Sequence, residues 1–98
     1  MAPDIIAESV GYTVVSASGN ISPKSVAMVG IFVSGATGTP TITIYDDAAT
    51  GTTVPLVTTF TPAPATYYKL PFRALHGINI VIGGTVSCTV GLQTETLM

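Results

Sequence analysis

The stretch that decides the fold class reads Gly77-Ile-Asn-Ile-Val-Ile-Gly-Gly-Thr-Val-Ser-Cys-Thr-Val-Gly-Leu92. Apolar residues occupy every second position on both sides of the central Gly83-Gly84 pair. A period of two is the spacing of a β-strand with one face on a core. Paired glycines supply the positive φ angles of a tight hairpin turn. The stretch therefore predicts two antiparallel strands joined by a turn at Gly83-Gly84. The residues expected to point inward are Ile78, Ile80, Ile82, Val86, Cys88, Val90 and Leu92.

The rest of the chain repeats this organisation in short apolar runs. Turn or loop residues separate the runs at Gly19-Asn20, at positions 35–40 and at Asp46–Gly51, and no segment shows a helical period. The pattern predicts an all-β fold, a single-domain antiparallel β-sandwich (jelly-roll-like) of about eight short strands. Besides the two strands above, strands are expected within residues 9–18, 26–34, 41–45, 53–60 and 66–72.

The 98 residues form one domain on grounds of length. Residues 1–8 are predicted to form an N-terminal arm or an edge strand, and residues 9–98 the β-sandwich domain. Ile5 and Ile6 lie in this arm, and we expect them to dock on a neighbouring molecule. Simple fraying of the terminus is the alternative.

Charged residues make up only 8% of the chain, against about 25% in an average protein. A free monomer usually keeps more charge for solubility. We therefore expect part of the surface to be covered in the working state, in a homo-oligomer for which a trimer is favoured. A soluble monomer that tolerates a surface rich in threonine is the alternative.

The three basic residues, Lys24, Lys69 and Arg73, are too few for the basic stripe that nucleic-acid binding requires. They are also too few for a polybasic membrane patch. No apolar run reaches the ~18–20 residues of a membrane-spanning helix, and the first residues lack the basic and apolar regions of a signal peptide. We expect neither nucleic acid nor membrane as a partner.

The residues available for catalysis are few. The chain has one histidine, His76, and no Gly-x-Ser-x-Gly motif, so it is predicted not to be an enzyme and to bind no cofactor. The single cysteine, Cys88, is expected to be buried and inert. Asp46 and Asp47 suggest calcium, but calcium takes about six to eight oxygen ligands. Hydrogen bonds from these aspartates to turn backbone are the favoured interpretation, and a bound ion stays open.

Tyrosines are the residues best suited to recognition here, because they combine an apolar ring with a polar hydroxyl. The alternative for each is packing against a sheet edge with the hydroxyl in water. The residues predicted to form a partner interface are Ile5, Ile6, Tyr12, Tyr67, Tyr68, Arg73 and His76.

Between Val29 and Leu92 the chain resembles a group of small bacteriophage virion proteins. The resemblance is one of pattern, carries no catalytic signature and transfers no functional residue. The segments that carry it are Gly30-Ile31-Phe32-Val33, Pro40-Thr-Ile-Thr-Ile-Tyr-Asp46, Thr59-Phe60-Thr61-Pro62, Thr66-Tyr67-Tyr68-Lys69-Leu70-Pro71-Phe72 and Gly77-Ile-Asn-Ile-Val-Ile-Gly-Gly-Thr85.

The resemblance implies a β-rich accessory component of the phage particle, such as a head decoration (cement) protein or a small tail or neck subunit. We expect a capsid decoration subunit that binds the major capsid protein or other virion proteins, in virions assembled in the host cytoplasm. The alternative is a tail, neck or fibre-tip module that recognises a host surface or a glycan. In that case Tyr67, Tyr68, Arg73 and His76 would line a site at one loop end.

Overall fold

The computed structural model describes residues 11–93, and the predicted arm at residues 1–8 therefore lies outside the described residues. The described part of the chain contains seven β-strands and no helix, which confirms the all-β prediction. All strand pairs are antiparallel and belong to one sheet. The strands are β1 (Gly11–Val15), β2 (Gly19–Ser22), β3 (Val26–Asp46), β4 (Pro55–Phe60), β5 (Thr66–Lys69), β6 (Arg73–Ala74) and β7 (Ile78–Gln93).

Two long strands form the centre of the sheet. β3 has 21 residues and β7 has 16, and their ladder runs from Ala27 opposite Gln93 to Asp46 opposite Ile78. β1 and β2 pair with the edge of β7 that faces away from β3. β4, β5 and β6 pair with the edge of β3 that faces away from β7. Every shorter strand is therefore positioned by one of these two.

The predicted hairpin at Gly83-Gly84 is wrong. Both glycines lie inside β7, and the apolar runs on either side of them pair with β3 rather than with each other. The expected loop at positions 35–40 likewise lies inside β3, and the expected turn at Gly19-Asn20 is the start of β2. Gly38 and Gly84 instead mark a bend within the two long strands.

Positive φ angles locate the bend. Gly84 has a φ of 82° and Gly38 a φ of 73°, in the left-handed region that other residues avoid. They lie where the β3–β7 register shifts between Thr37 and Thr41. A Cβ atom on Gly84 would lie 3.1 Å from the Cα of Pro40. The two strands therefore bend together, with close contact across the ladder.

This bend folds β3 back on itself. A straight strand of 21 residues would extend ~70 Å. Yet Val26 at one end pairs with Ala74, while the Asp46 carboxylate at the other end accepts a hydrogen bond from the next residue, Leu75, at 3.1 Å. The two ends of β3 thus meet at neighbouring residues, an arrangement compatible with the predicted sandwich.

The bend divides the sheet into two parts. The first half contains β1, β5, β6 and residues 26–36 and 86–93, and the second half contains β2, β4 and residues 41–46 and 78–83. Both halves contribute to one buried core. The predicted inward positions of the quoted stretch are buried, apart from Ile82 and Leu92, which are partly buried against the core. The core residues are Val15, Val26, Met28, Ile31, Val33, Ile42, Ile44, Ala74, Ile78, Ile80, Val86, Cys88 and Val90.

The crossing from β4 to β5, residues 61–65, takes the chain from the second half to the first. Tyr68 fixes it, because its hydroxyl accepts a hydrogen bond from the Ala63 N–H at 2.8 Å. The Tyr68 ring packs on Phe60, with ring centroids 5.3 Å apart.

Three glycine-to-alanine substitutions test the bend. Gly84→Ala should cost the most, because it combines a positive φ with contact on Pro40. Gly38→Ala should cost about 1–2 kcal/mol from backbone conformation alone, since nothing lies near its Cβ position. Gly35→Ala, with neither feature, should change the unfolding free energy by less than about 0.5 kcal/mol or stabilise slightly. Urea denaturation measures all three, and equal losses would contradict the assigned bend.

Candidate functional site

An apolar and aromatic surface covers the outer side of the first half of the sheet. Its centre is a row across four strands, in which Thr89 of β7 lies between Val14 and Phe32, and Tyr67 lies beyond Phe32. Tyr12 lies in the next outward row, opposite Gly91. We call Tyr12, Val14, Phe32 and Tyr67 the outer apolar face.

Strand alternation places these side chains outside. Ile31, Val33, Cys88 and Val90 of the same strands are buried, so the residues between them point to the opposite side of the sheet. The side chains of the outer apolar face are 72%, 65%, 43% and 53% exposed in the order Tyr12, Val14, Phe32 and Tyr67. Three further large apolar side chains are exposed elsewhere in the described residues, namely Val54, Phe72 and Leu75.

Tyr67 is held in place by a glycine. Gly30 lies one outward row from Phe32, and a Cβ atom there would lie 2.6 Å from the Cζ atom of Tyr67. The phenol therefore occupies the space that a side chain at position 30 would fill.

The outer apolar face is almost free of charge. Its two rows contain a single charged side chain, Lys69, which pairs with Gly30 at the β5 edge. The surface can therefore contribute burial of apolar area to binding, while charge contributes little to recognition.

The second half of the sheet has a different outer side. Thr43 and Thr59 share a hydrogen bond of 2.6 Å between their hydroxyls. Loop residues 47–51 lie over the neighbouring positions, held by two asparagine side chains. Asn20 donates to the carbonyls of Asp47 at 3.1 Å and Ala49 at 2.6 Å, and Asn79 donates to that of Gly51 at 3.0 Å. These hydroxyl and amide groups are thus bonded within the chain.

The residues predicted for the interface do not form one cluster. Tyr12 and Tyr67 lie on the outer apolar face, at its opposite edges, whereas Tyr68 points to the core side of β5 and packs on Phe60. Arg73 lies in β6 opposite Ala27, and His76 lies in the loop before β7. The other two predicted interface residues, Ile5 and Ile6, lie outside the described residues.

Sequence reasoning did not select Val14 and Phe32 for the interface. Both belong to strands with apolar residues on alternate and intervening positions, a pattern typical of strands that are buried on both faces. Pairing across Thr89 puts them in one row, and no local pattern contains that long-range register. The low charge of the chain did indicate that part of its surface is covered, but it did not indicate which part.

Asp46 joins the end of β3 to the loop that precedes β7. Its carboxylate accepts hydrogen bonds from the N–H groups of Leu75 at 3.1 Å, His76 at 2.7 Å and Gly77 at 3.4 Å. Burial by itself would raise the pKa of Asp46. The three N–H groups and the nearby His76 ring, whose Nδ1 lies 3.5 Å away, outweigh burial and lower the pKa below its usual 3.8.

Asp47 also bonds turn backbone, as predicted. One of its carboxylate oxygens accepts from the N–H groups of Ala49 at 2.7 Å and Gly51 at 3.1 Å. Both aspartates thus stabilise loops through backbone hydrogen bonds. Residues 11–93 contain no cluster of three or more histidine, cysteine, aspartate or glutamate side chains suited to a metal ion.

No protein-family model, curated protein or solved structure matches the chain. The described residues include no helix of the length and apolar character needed to cross a membrane.

Acid should weaken the fold through Asp46. Because the folded-state pKa is lowered, the carboxylate stabilises the protein above its usual pKa of 3.8, and this contribution is lost as pH falls through the folded value. Asp46→Asn should cost about 1–3 kcal/mol at neutral pH, since N–H groups lose their charged acceptor. It should also flatten the decline of stability between about pH 5 and 2. Urea unfolding at a series of pH values measures both effects.

His76→Ala is the control for this experiment. The His76 side chain is 68% exposed, and its removal leaves the three backbone donors in place. The variant should keep most of the acid-dependent loss. If Asp46→Asn retains the full decline in acid, the assignment to Asp46 fails.

Cys88 should be protected from thiol reagents in the folded protein. Burial raises the pKa of its thiol, and its sulfur contacts the Val15 carbonyl at 3.6 Å. Labelling at pH 8 should be on the order of 100-fold slower without urea than in urea, because reaction requires opening of the core. A time course with a chromogenic disulfide reagent measures the rates, and equal rates would contradict a buried thiol.

Proposed function

We propose that the chain is a non-enzymatic structural virion protein, a capsid decoration subunit that binds the assembled head of a bacteriophage. The observation that carries the proposal is the outer apolar face, an exposed and nearly uncharged surface on one side of a small β-sheet. Surfaces of this kind on soluble domains mark sites of association with another macromolecule. The pattern resemblance to small virion proteins supports the same class of function.

The proposed mechanism is stabilisation by binding. The outer apolar face would lie across neighbouring copies of the major capsid protein, and apolar burial contributes about 25 cal/mol per Å². A ligand that binds only the assembled shell shifts the equilibrium toward that shell by mass action. Phe32 lies in the ladder of β3 and β7, and Tyr67 lies in β5, which pairs with β3, so both side chains are carried by paired strands and little ordering is required on binding.

The state of the acidic groups favours a structural role over catalysis. Asp46 and Asp47 bond to backbone N–H groups of the chain itself. His76 lies beside Asp46 in the loop before β7, and the two described rows of the outer apolar face carry Lys69 as their single charged side chain. The outer apolar face is therefore suited to binding another macromolecule.

The test uses purified particles of the phage that encodes the chain. Heads and tails are separated, and each is analysed by quantitative mass spectrometry. The proposal expects many copies on heads, and heads stripped of the protein should rupture at lower temperature. Absence from particles would overturn the proposal. A few copies confined to tails would replace it with the alternative, a tail, neck or fibre-tip module for host-surface or glycan recognition.

Rebinding to stripped heads tests the surface itself. Phe32→Lys should weaken binding about 10-fold or more, because it places a charge at the centre of the outer apolar face. Val54→Lys is the matched control, since Val54 is 52% exposed but lies away from this face. Equal binding by the two variants would remove the outer apolar face from the interface.

A further inference from the structure

The described sheet ends in several edge strands. β1 and β2 pair only with β7 among the described strands, and β4, β5 and β6 pair only with β3. An edge strand presents unpaired N–H and C=O groups, and natural proteins protect such edges with proline, charge, bulges or short length.

All of these edges except β1 carry such protection. β4 begins at Pro55, and its register with β3 shifts twice. β5 carries Lys69 and is followed by Pro71, while β6 has two residues, one of which is Arg73. β2 has a register shift and is followed by Pro23-Lys24.

Within the described residues, β1 carries no proline, charge or bulge. Its sequence, Gly11-Tyr-Thr-Val-Val15, has no proline and no charge, and it pairs with β7 in unbroken register over all 5 residues. Its two outward side chains, Tyr12 and Val14, are the most exposed of the outer apolar face. Among the described strands, the outer edge of β1 has no partner, so its N–H and C=O groups can pair with another strand. The exposed apolar side chains Tyr12 and Val14 lie beside these groups.

We propose that β1 pairs antiparallel with β1 of a second copy of this chain about a two-fold axis, which joins two sheets into one. With the axis at Thr13, Tyr12 of each copy lies opposite Val14 of the other, an aromatic and β-branched pair of the kind that stabilises antiparallel sheets. The same register extends the outer apolar face without interruption from one copy to the next.

Charge and symmetry favour a second copy over a different partner. An isologous contact places each residue near its own equivalents, so like charges at the edge would repel. β1 has no charge, and Lys69, the nearest charge on its two outward rows, lies at the opposite edge. The described part of the edge is thus complementary to itself and offers no charged side chain to a charged partner.

The contact area sets the expected strength. A tyrosine side chain offers about 150–250 Å², and Tyr12 is 72% exposed and Val14 65%. With the backbone edge, we estimate roughly 400 Å² on each copy, or about 800 Å² in total, which is below a standard-sized interface. We therefore expect a weak dimer, formed at micromolar or higher concentration. This proposal does not rest on the proposed virion role.

Sedimentation velocity of the full chain between about 1 and 500 μM tests the association. The 10.0 kDa chain should shift toward twice its mass as concentration rises. Val14→Lys should stay monomeric throughout, because it adds a charge at the edge. Val54→Lys, an exposed valine in the second half, should dimerise as the unmodified chain does. Circular dichroism of each variant checks that the fold is retained.

A cysteine variant tests the geometry. Residues on the axis of an antiparallel pair have Cα atoms about 4.5–5.5 Å apart, within reach of a disulfide. Thr13→Cys should therefore crosslink to a dimer under mild oxidation, and Thr58→Cys on the β4 edge should not. The native Cys88 is buried and does not compete.

Three outcomes would overturn the proposal. The unmodified chain could remain monomeric over the whole range, or it could form a trimer, the state predicted from the low charge. Alternatively, Thr13→Cys could fail to crosslink in a chain that dimerises, which would exclude pairing of β1 edges about Thr13. A chain that dimerises but is absent from phage particles would sustain this proposal and refute only the virion role.

Discussion

The fold depends on bringing the two ends of β3 together. Val26 pairs with Ala74, and the Asp46 carboxylate accepts hydrogen bonds from the next three residues, Leu75 to Gly77. The Gly77 N–H is buried, and a buried N–H left without an acceptor would cost about 1–3 kcal/mol. A carboxylate can accept several such bonds at once. Once the ends are joined, Ile31 of the first half and Ile44 of the second half face one core. Asp46 thus links closure of the chain to formation of the core.

The sequence predicts strand faces well and strand connections poorly. Period two correctly placed Ile78, Ile80, Val86 and Val90 in the core, because alternation depends only on the local geometry of a strand. The hairpin at Gly83-Gly84 failed because a glycine with positive φ serves a turn and a bend equally well. The deciding factor is β3, distant in sequence, which pairs with both sides of the glycine pair and bends at Gly38 in the same place.

The candidate surface was predictable only in part, for a related reason. Tyr12 and Tyr67 could be selected by residue type, and they lie on the outer apolar face, whereas Tyr68 has the same chemistry and packs against Phe60. Tyr67 and Tyr68 are neighbours on β5, and neighbouring side chains on a strand point to opposite faces of the sheet. A shift of one residue in the strand register would exchange their exposed and packed positions. For Phe32 the pattern was ambiguous, because a register shift between Met28 and Gly30 changes which positions face the core. Such shifts are a property of the paired sheet and leave no mark in the single strand.

The two outer sides of the sheet differ in a way that favours a molecule with a contact side and a solvent side. In the second half, hydroxyl groups bond to each other at Thr43 and Thr59, and Asn20 and Asn79 hold a loop over the strands. In the first half, aromatic rings are left exposed. Val14 belongs both to this exposed side and to the unprotected β1 edge, so pairing of two copies would double the apolar surface in one plane. On the proposed capsid, a weak edge contact and a modest face contact would then reinforce each other, because binding of one copy raises the local concentration of the next.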